Sequence, residues 1–306
     1  MEKEKNYHDY LVRAYTGNGE VRAFAITSRH LVEEARMMHN TSPIATAALG
    51  RTMSAALMLG ETLKDKETLT LQFKGDGPLG EIIAISDANH HVRGYVRGKD
   101  VIMMPNKEGH LNVGGALGKG TLTIIRDMRL KEPYISTIPL HSGEIADDLS
   151  HYFLESEQTA TAIALGVLMN HDNTVKEAGG FFVQLLPNAS EKTISTLEAN
   201  IKKISAVTDL LKERKSPEEI LDTVLKGLEP ILITETSDVS YKCTCSKERF
   251  ERVLVTLGRK ELLEMIKEDK PIETTCEFCN KTYSFSVEEL KALYLSLTKD
   301  DKNKQN

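Results

Sequence analysis

The sequence predicts an α+β fold in parts: a core domain of sheet and helix over residues 1–187, an amphipathic helical linker over 188–237, a small four-cysteine domain over 238–297 and a disordered polar tail over 298–306. Three observations carry this. All twenty glycines except Gly227 and Gly258 precede Pro187, so the first part needs many turns, as sheets do. Strand-like and helix-like runs mix there without strict βα alternation. All four cysteines lie beyond residue 240, in two tight pairs.

The elements follow in order. Ser28 can cap a helix over His30–Met38, and Ser42-Pro43 opens another, with proline where its missing N–H costs nothing. Short β-branched or aromatic runs bounded by Gly or Asp predict strands at 69–73, 82–85, 94–97, 121–125 and 181–185. A third helix is expected over Ser150–Met169. In the linker, Ile194, Leu197, Ile201, Ile204 and Leu211 recur at helical spacing between Lys and Glu. Ser216-Pro-Glu-Glu219 is a capping box starting a short helix that Gly227 and Pro230 end. These apolar faces, with no sheet of their own, must lie on something. In the last domain Ser246 caps a helix to Leu257, Gly258 breaks it, and a second helix runs from Lys260 to Lys270 before Pro271. Ile272–Phe285 reads as a hairpin turning at Cys276–Asn280, and Ser286-Val-Glu-Glu289 is a further capping box.

Composition excludes several classes. A net charge of −6, from 39 Lys+Arg against 45 Asp+Glu, lacks the electrostatic footprint of a nucleic-acid binder. The Ala-rich run Ile44–Gly60 carries Arg51 and is too short for a membrane span. The charged start, MEKEKNYHDY, has no apolar leader core, so a cytoplasmic protein is expected. Gly75-Asp-Gly-Pro-Leu-Gly80 matches a dinucleotide pattern, but a strand rather than a helix follows it, so it reads as a turn. Gly114–Thr121 lacks both the first glycine and the magnesium-binding hydroxyl of a phosphate loop, and also reads as a turn. No ATP site is therefore expected. The pair His90-His91 reads as a solvated turn. Adjacent acids such as Glu33-Glu34 and Asp147-Asp148 read as solvated faces and caps, so no enzyme active site is expected.

The cysteines carry the chemistry. Cys243-Thr-Cys245 and Cys276-Glu-Phe-Cys279 are four thiols that a reducing compartment would use for metal or redox work, and two short spacers joined by a longer one suit tetrahedral zinc. A C-terminal zinc-binding domain is expected. A static structural zinc ribbon, serving interaction or nucleic-acid binding, remains open beside a redox site. Tyr241–Tyr283 holds nine Lys+Arg against eight Asp+Glu, no basic face. The C-x-C spacing favours the redox reading, because its intrapair disulfide would be strained and easily reduced. So do Lys242, Lys247, Arg249 and Lys281, whose charges would favour thiolate.

Tyr241-Lys-Cys-Thr-Cys-Ser-Lys-Glu-Arg249 followed by Cys276-Glu-Phe-Cys-Asn-Lys-Thr-Tyr283 resembles the zinc centre of the bacterial redox-regulated thirty-three-kilodalton heat-shock chaperones. Gly75-Asp-Gly-Pro-Leu79, Arg93-Gly-Tyr95, Leu117-Gly-Lys-Gly120, Tyr152–Gln158 and Ala178-Gly-Gly180 resemble that family's segments in its order. Ser136 departs from it where Gly is expected, in a segment taken as a turn. The resemblance implies an ATP-independent holdase. Reduced, it binds one zinc through Cys243, Cys245, Cys276 and Cys279 and is inactive. Oxidation forms Cys243–Cys245 and Cys276–Cys279 disulfides, releases zinc and unfolds the last domain. A homodimer then binds unfolding client proteins, and the linker residues Ile194, Leu197, Ile201 and Ile204 are the candidate client surface.

Overall fold

The computed structural model describes residues 8–107, 109–204 and 206–304, so the charged start expected to lack a leader falls largely outside the described residues. The chain divides into two compact units, Met1–Lys242 and Cys243–Asn306. Among the described residues no helix is long and apolar enough to cross a membrane.

The first unit opens with strands β1 (Tyr10–Thr16) and β2 (Val21–Thr27) and helices α1 (Arg29–His39) and α2 (Pro43–Gly60). Then come β3 (Thr68–Gly75), β4 (Glu81–Asp87), β5 (His91–Val96), the short α3 (Val113–Leu117), β6 (Gly120–Asp127) and β7 (Tyr134–Pro139). After α4 (Ala146–Glu155), β8 (Thr161–Met169) and β9 (Val175–Leu185) come three helices, α5 (Glu191–Lys203), α6 (Val207–Lys212) and α7 (Pro217–Val224), and strands β10 (Ile231–Asp238) and β11 (Ser240–Tyr241). They build a five-stranded sheet, β10-β1-β2-β9-β8, and a six-stranded one, β11-β5-β4-β3-β6-β7.

Helix α2 explains why the Ala-rich run is apolar all round: every residue from Ile44 to Gly60 except Arg51 is buried, as befits a helix enclosed by a core. Its small residues allow close approach. A Cβ on Gly50 would lie 2.7 Å from Val32 Cγ1 and 2.9 Å from Val167 Cγ2. Arg51 escapes by pairing with Glu144 at 2.7 Å. The five-stranded sheet is covered on both faces, and its period-two alternation shows it. Leu11, Phe24 and Ile26 join the core around α2, whereas Val12, Ala14, Ala23 and Ala25 join a second core with Leu197, Leu211, Leu221 and Val224 of α5–α7. The linker helices thus lie on the opposite face of this sheet.

Several expectations change. The helix expected over 150–169 stops at Glu155, and Thr161–Met169 is strand β8, paired along β9 from Thr161↔Gln184 to Met169↔Val175. An apolar run of that length suits either state, and pairing with β9 decides it. The linker supplies a sheet strand after all: β10 pairs antiparallel with β1, from Tyr10↔Asp238 to Thr16↔Ile231. Ser28 makes no side-chain cap; its hydroxyl meets Ser54 Oγ at 2.8 Å, and Asp9 Oδ2 accepts the Leu31 N–H at 2.7 Å instead. Part of the glycine-rich turn at 114–121 is helix α3, and Ser136 sits in β7 opposite Ile124 rather than in a turn. Asp148 is fully buried, accepting N–H groups from His141, Ser142, Gly143 and Ile145. His90 is not solvated either: its side chain is mostly buried, with Nε2 2.6 Å from Glu61 Oε2.

The second unit holds α8 (Lys247–Thr256), α9 (Arg259–Lys267), the hairpin β12 (Ile272–Thr275) and β13 (Thr282–Phe285), and α10 (Val287–Lys304). The last helix runs into the segment expected as a disordered tail, since no Gly or Pro after Val287 stops it; residues 305–306 lie outside the described residues. Ser246 caps α8 by accepting the Arg249 N–H, and the Ser286–Glu289 box forms in both directions at 3.2 and 2.9 Å. The core is small: Leu254, Leu262, Tyr283, Phe285 and Leu290.

Candidate metal centre

Two chain segments bring the four cysteines together. Cys243 and Cys245 precede the α8 cap, and Cys276 and Cys279 form the turn of the β12–β13 hairpin. That turn closes by hydrogen bonds from the Cys279 and Asn280 N–H groups to the Cys276 carbonyl, at 3.2 and 2.8 Å, with Asn280 in the left-handed region at φ 56°. The Cys276 N–H then donates to the Lys281 carbonyl at 3.0 Å, starting the strand pair.

All four sulfurs lie within 4.8 Å of one another. Two of the contacts cross between the pairs, Cys243 Sγ to Cys276 Sγ at 3.7 Å and Cys245 Sγ to Cys279 Sγ at 3.4 Å. Sulfurs held at zinc's usual bond length on a tetrahedron stand ~3.8 Å apart. The four-thiol donor set therefore fits such an ion without rearrangement. Cys276 is buried and the other three are half-buried, so the cluster is shielded yet open to small reagents.

The sulfurs are not electrostatically equivalent. Burial pushes the Cys243 and Cys279 thiols up, against N–H groups of Cys245 and Lys281 that favour their thiolates. Burial also acts against the Cys245 thiolate, but hydrogen bonds from the Tyr283 hydroxyl, at 3.1 Å, and from the neighbouring thiols outweigh it and bring Cys245 down to about 7. The reciprocal interaction with Cys245 raises the Tyr283 hydroxyl. Cys245 is thus the sulfur whose thiolate the surrounding donors favour most.

Tyr283 is the residue that sequence reasoning missed, although its place four after Cys279 on a strand was readable. The expected cationic flank works otherwise. Lys247 pairs with Glu289 and stands 5.1 Å from the Phe285 ring centroid, and Arg249 Nη1 donates to the Thr244 carbonyl and hydroxyl at 2.9 and 2.7 Å. Lys281 lies over the Tyr283 ring at 5.3 Å, and Lys242 ends the first unit. Lys247, Arg249 and Lys281 are thus engaged with a carboxylate, a carbonyl and hydroxyl, and a ring.

The expected client residues lie in the first unit. Leu197 is buried, Ile201 and Ile204 pack partly buried against the second core, and Ile194 is half-buried.

Comparison with known proteins agrees with this arrangement. Residues 9–286 match the family described as Hsp33 protein. The chain is 51% identical to the 33 kDa chaperonin of Clostridioides difficile (strain 630), over 92% of this chain and 97% of that protein. It is 48% identical to the 33 kDa chaperonin of Lachnoclostridium phytofermentans, over 93% and 97% of the two chains. The crystal structure of the 33 kDa chaperonin of Thermotoga maritima, a heat shock protein 33 homolog, superposes with a TM-score of 0.87 at 36% identity, covering 96% of this chain and all of that one. With its four cysteines gathered at one point, the chain belongs to the Hsp33 protein family.

Proposed function

We propose that this chain is a redox-regulated, ATP-independent holdase chaperone of the cytoplasm rather than an enzyme. In the reduced state Cys243, Cys245, Cys276 and Cys279 hold one zinc ion and the protein is inactive. The observation that carries this is the convergence of the four sulfurs within 4.8 Å in a member of a chaperone family. Bound zinc would keep all four sulfurs as thiolates and tie the hairpin turn to the 243–245 segment.

Oxidation by a peroxide or hypochlorite then pairs Cys243 with Cys245 and Cys276 with Cys279. For each pair with peroxide, two thiolates give up two electrons, one S–S bond forms, and the O–O bond breaks, taking up two protons from solvent to leave two waters. Disulfide sulfurs no longer ligate as thiolates, so the metal leaves and the small unit loses what holds it folded. The chain runs from β11 through Lys242 straight into Cys243, so unfolding beyond Cys243 leaves the end of the linker attached to a mobile chain, which favours its release from the sheet. The apolar faces bearing Ile194, Leu197, Ile201 and Ile204, or the sheet surface beneath them, become available to unfolding clients, with the protein acting as a homodimer. Nucleic acid and membrane take no part.

The test is suppression of aggregation of a chemically unfolded protein by the reduced and the peroxide-treated chain, with zinc and free thiols counted in each. The proposal expects protection only after oxidation, with zinc lost and four thiols consumed. Equal behaviour of the two states, or zinc retained after treatment, leaves a static structural zinc ribbon.

A further inference from the structure

Within the first unit, made without any cysteine, an oxygen of Glu61, a ring nitrogen of His90 and an oxygen of Glu235 also converge within 4.8 Å of one another. Glu61 ends α2, His90 stands in the β4–β5 turn with φ 56°, and Glu235 sits opposite Arg13 in the β10–β1 ladder. The three come from distant parts of the chain and meet at one point.

A structural charge network accounts for only part of this. The Glu61 side chain is 1% exposed, and its Oε2 is 2.6 Å from His90 Nε2. Its Oε1 is buried with no hydrogen-bond partner; the nearest cation, Arg13 Nη1, stands 3.6 Å away, beyond hydrogen-bond reach. Arg13 instead commits Nη2 to Glu235 Oε2 at 2.7 Å and Nε to Thr234 Oγ1 at 3.1 Å. A buried carboxylate oxygen that accepts no hydrogen bond, and is met only by an ion pair at this distance, costs free energy that a closer cation would recover.

We propose that Glu61, His90 and Glu235 form a second cation site, taking one divalent first-row transition ion. One imidazole and two carboxylates are a donor set for ions of intermediate hardness such as Mn²⁺, Fe²⁺ or Co²⁺, and leave coordination positions for water. Arg13 is the stand-in cation between the two carboxylates. Its side chain is 24% exposed, so it can turn outward when an ion enters. An ion held there ties β10, the last long strand of the linker, to the end of α2 and the β4–β5 turn.

The test uses the full-length reduced chain with its cysteine centre loaded with zinc, titrated with Mn²⁺, which prefers oxygen and imidazole to thiolate. Bound Mn²⁺ is counted by electron paramagnetic resonance, and broadening of the His90 ring resonances reports where it sits. Wild type is expected to bind one equivalent with His90 broadened. Glu235→Gln should weaken binding about tenfold or more, and Arg13→Met should tighten it about tenfold by removing the competing cation. Both variants are checked for folding by circular dichroism, and Glu235→Gln, at a 42% exposed side chain, decides alone if Arg13→Met does not fold. Equal binding by wild type and Glu235→Gln, or Mn²⁺ that leaves His90 sharp, overturns the site.

Discussion

If the small unit folds only around its metal, a defect in its apolar core must reappear as a loss of zinc affinity. Leu262 is the cleanest probe. It is fully buried in a core of five residues, on α9, and lies well away in sequence from every cysteine. Leu262→Ala removes buried methyl groups without touching the thiols, at a cost of about 2–5 kcal/mol. Structural zinc contributes roughly 10–16 kcal/mol in small metal-folded peptides, as much as the whole stability of an ordinary domain. The variant therefore still folds when saturated with zinc. Each ~1.4 kcal/mol is a factor of ten, so apparent zinc affinity should fall between roughly thirty-fold and several thousand-fold. Competition with a chromophoric chelator under reducing conditions measures it, beside a melt of the zinc-loaded protein. An unchanged zinc affinity in a variant whose zinc-loaded melt is lowered would mean the unit is already folded without metal, and the latch argument would fail.

Peroxide oxidation should give Cys243–Cys245 and Cys276–Cys279 by peptide mapping, because the shortest loops close most readily; mainly cross-pair bonds, such as Cys243–Cys276 or Cys245–Cys279, whose sulfurs stand 3.7 and 3.4 Å apart, would refute the assignment. Asp148→Ala strands four buried or half-buried N–H donors and should cost about 3 kcal/mol or more in a denaturant melt of the first unit; a change under 1 kcal/mol would mean water replaces the carboxylate. Hydrogen bonds from Arg36, and then from the Val175 N–H against burial, hold the Glu33 carboxyl below its ordinary 4.5. Its contribution is thus complete above pH 4.5 and lost as pH falls through the depressed folded value. Glu33→Gln should flatten the acid-side fall in stability, and parallel pH profiles for the two proteins would count against it.

What was readable in the sequence was local. The Ser216 and Ser286 boxes, the proline at the start of α2 and the hairpin closing at Cys276–Asn280 each depend on residues within a few positions, and each formed as written. The cysteine cluster was readable for a different reason: four thiols of the right spacing have few other ways to be satisfied together. Strand β10 was not, because Ile231–Asp238 becomes a strand only through β1, more than two hundred residues earlier. The same holds for β8, whose apolar run is settled by β9, and for His90, whose partner Glu61 is 29 residues away. Asp148 looked like surface because half of its acidic pair is; the four amides that bury it belong to a loop whose path no spacing rule gives.

The pairing of β10 with β1 has a consequence for the order in which the chain is made. β1 is the second strand of its sheet only because β10 lies outside it; until then it is the edge. A ribosome adding about 5–20 residues per second needs on the order of ten to forty seconds to travel from Thr16 to Ile231. For that interval β1 offers a row of unpaired amides and carbonyls, flanked by Leu11 and Val12, to whatever strand is near. Arg13 stands in the middle of that row, and a long, charged side chain there discourages pairing with a neighbouring nascent chain. The residue that later meets Glu235 across the ladder also guards the open edge before Glu235 exists.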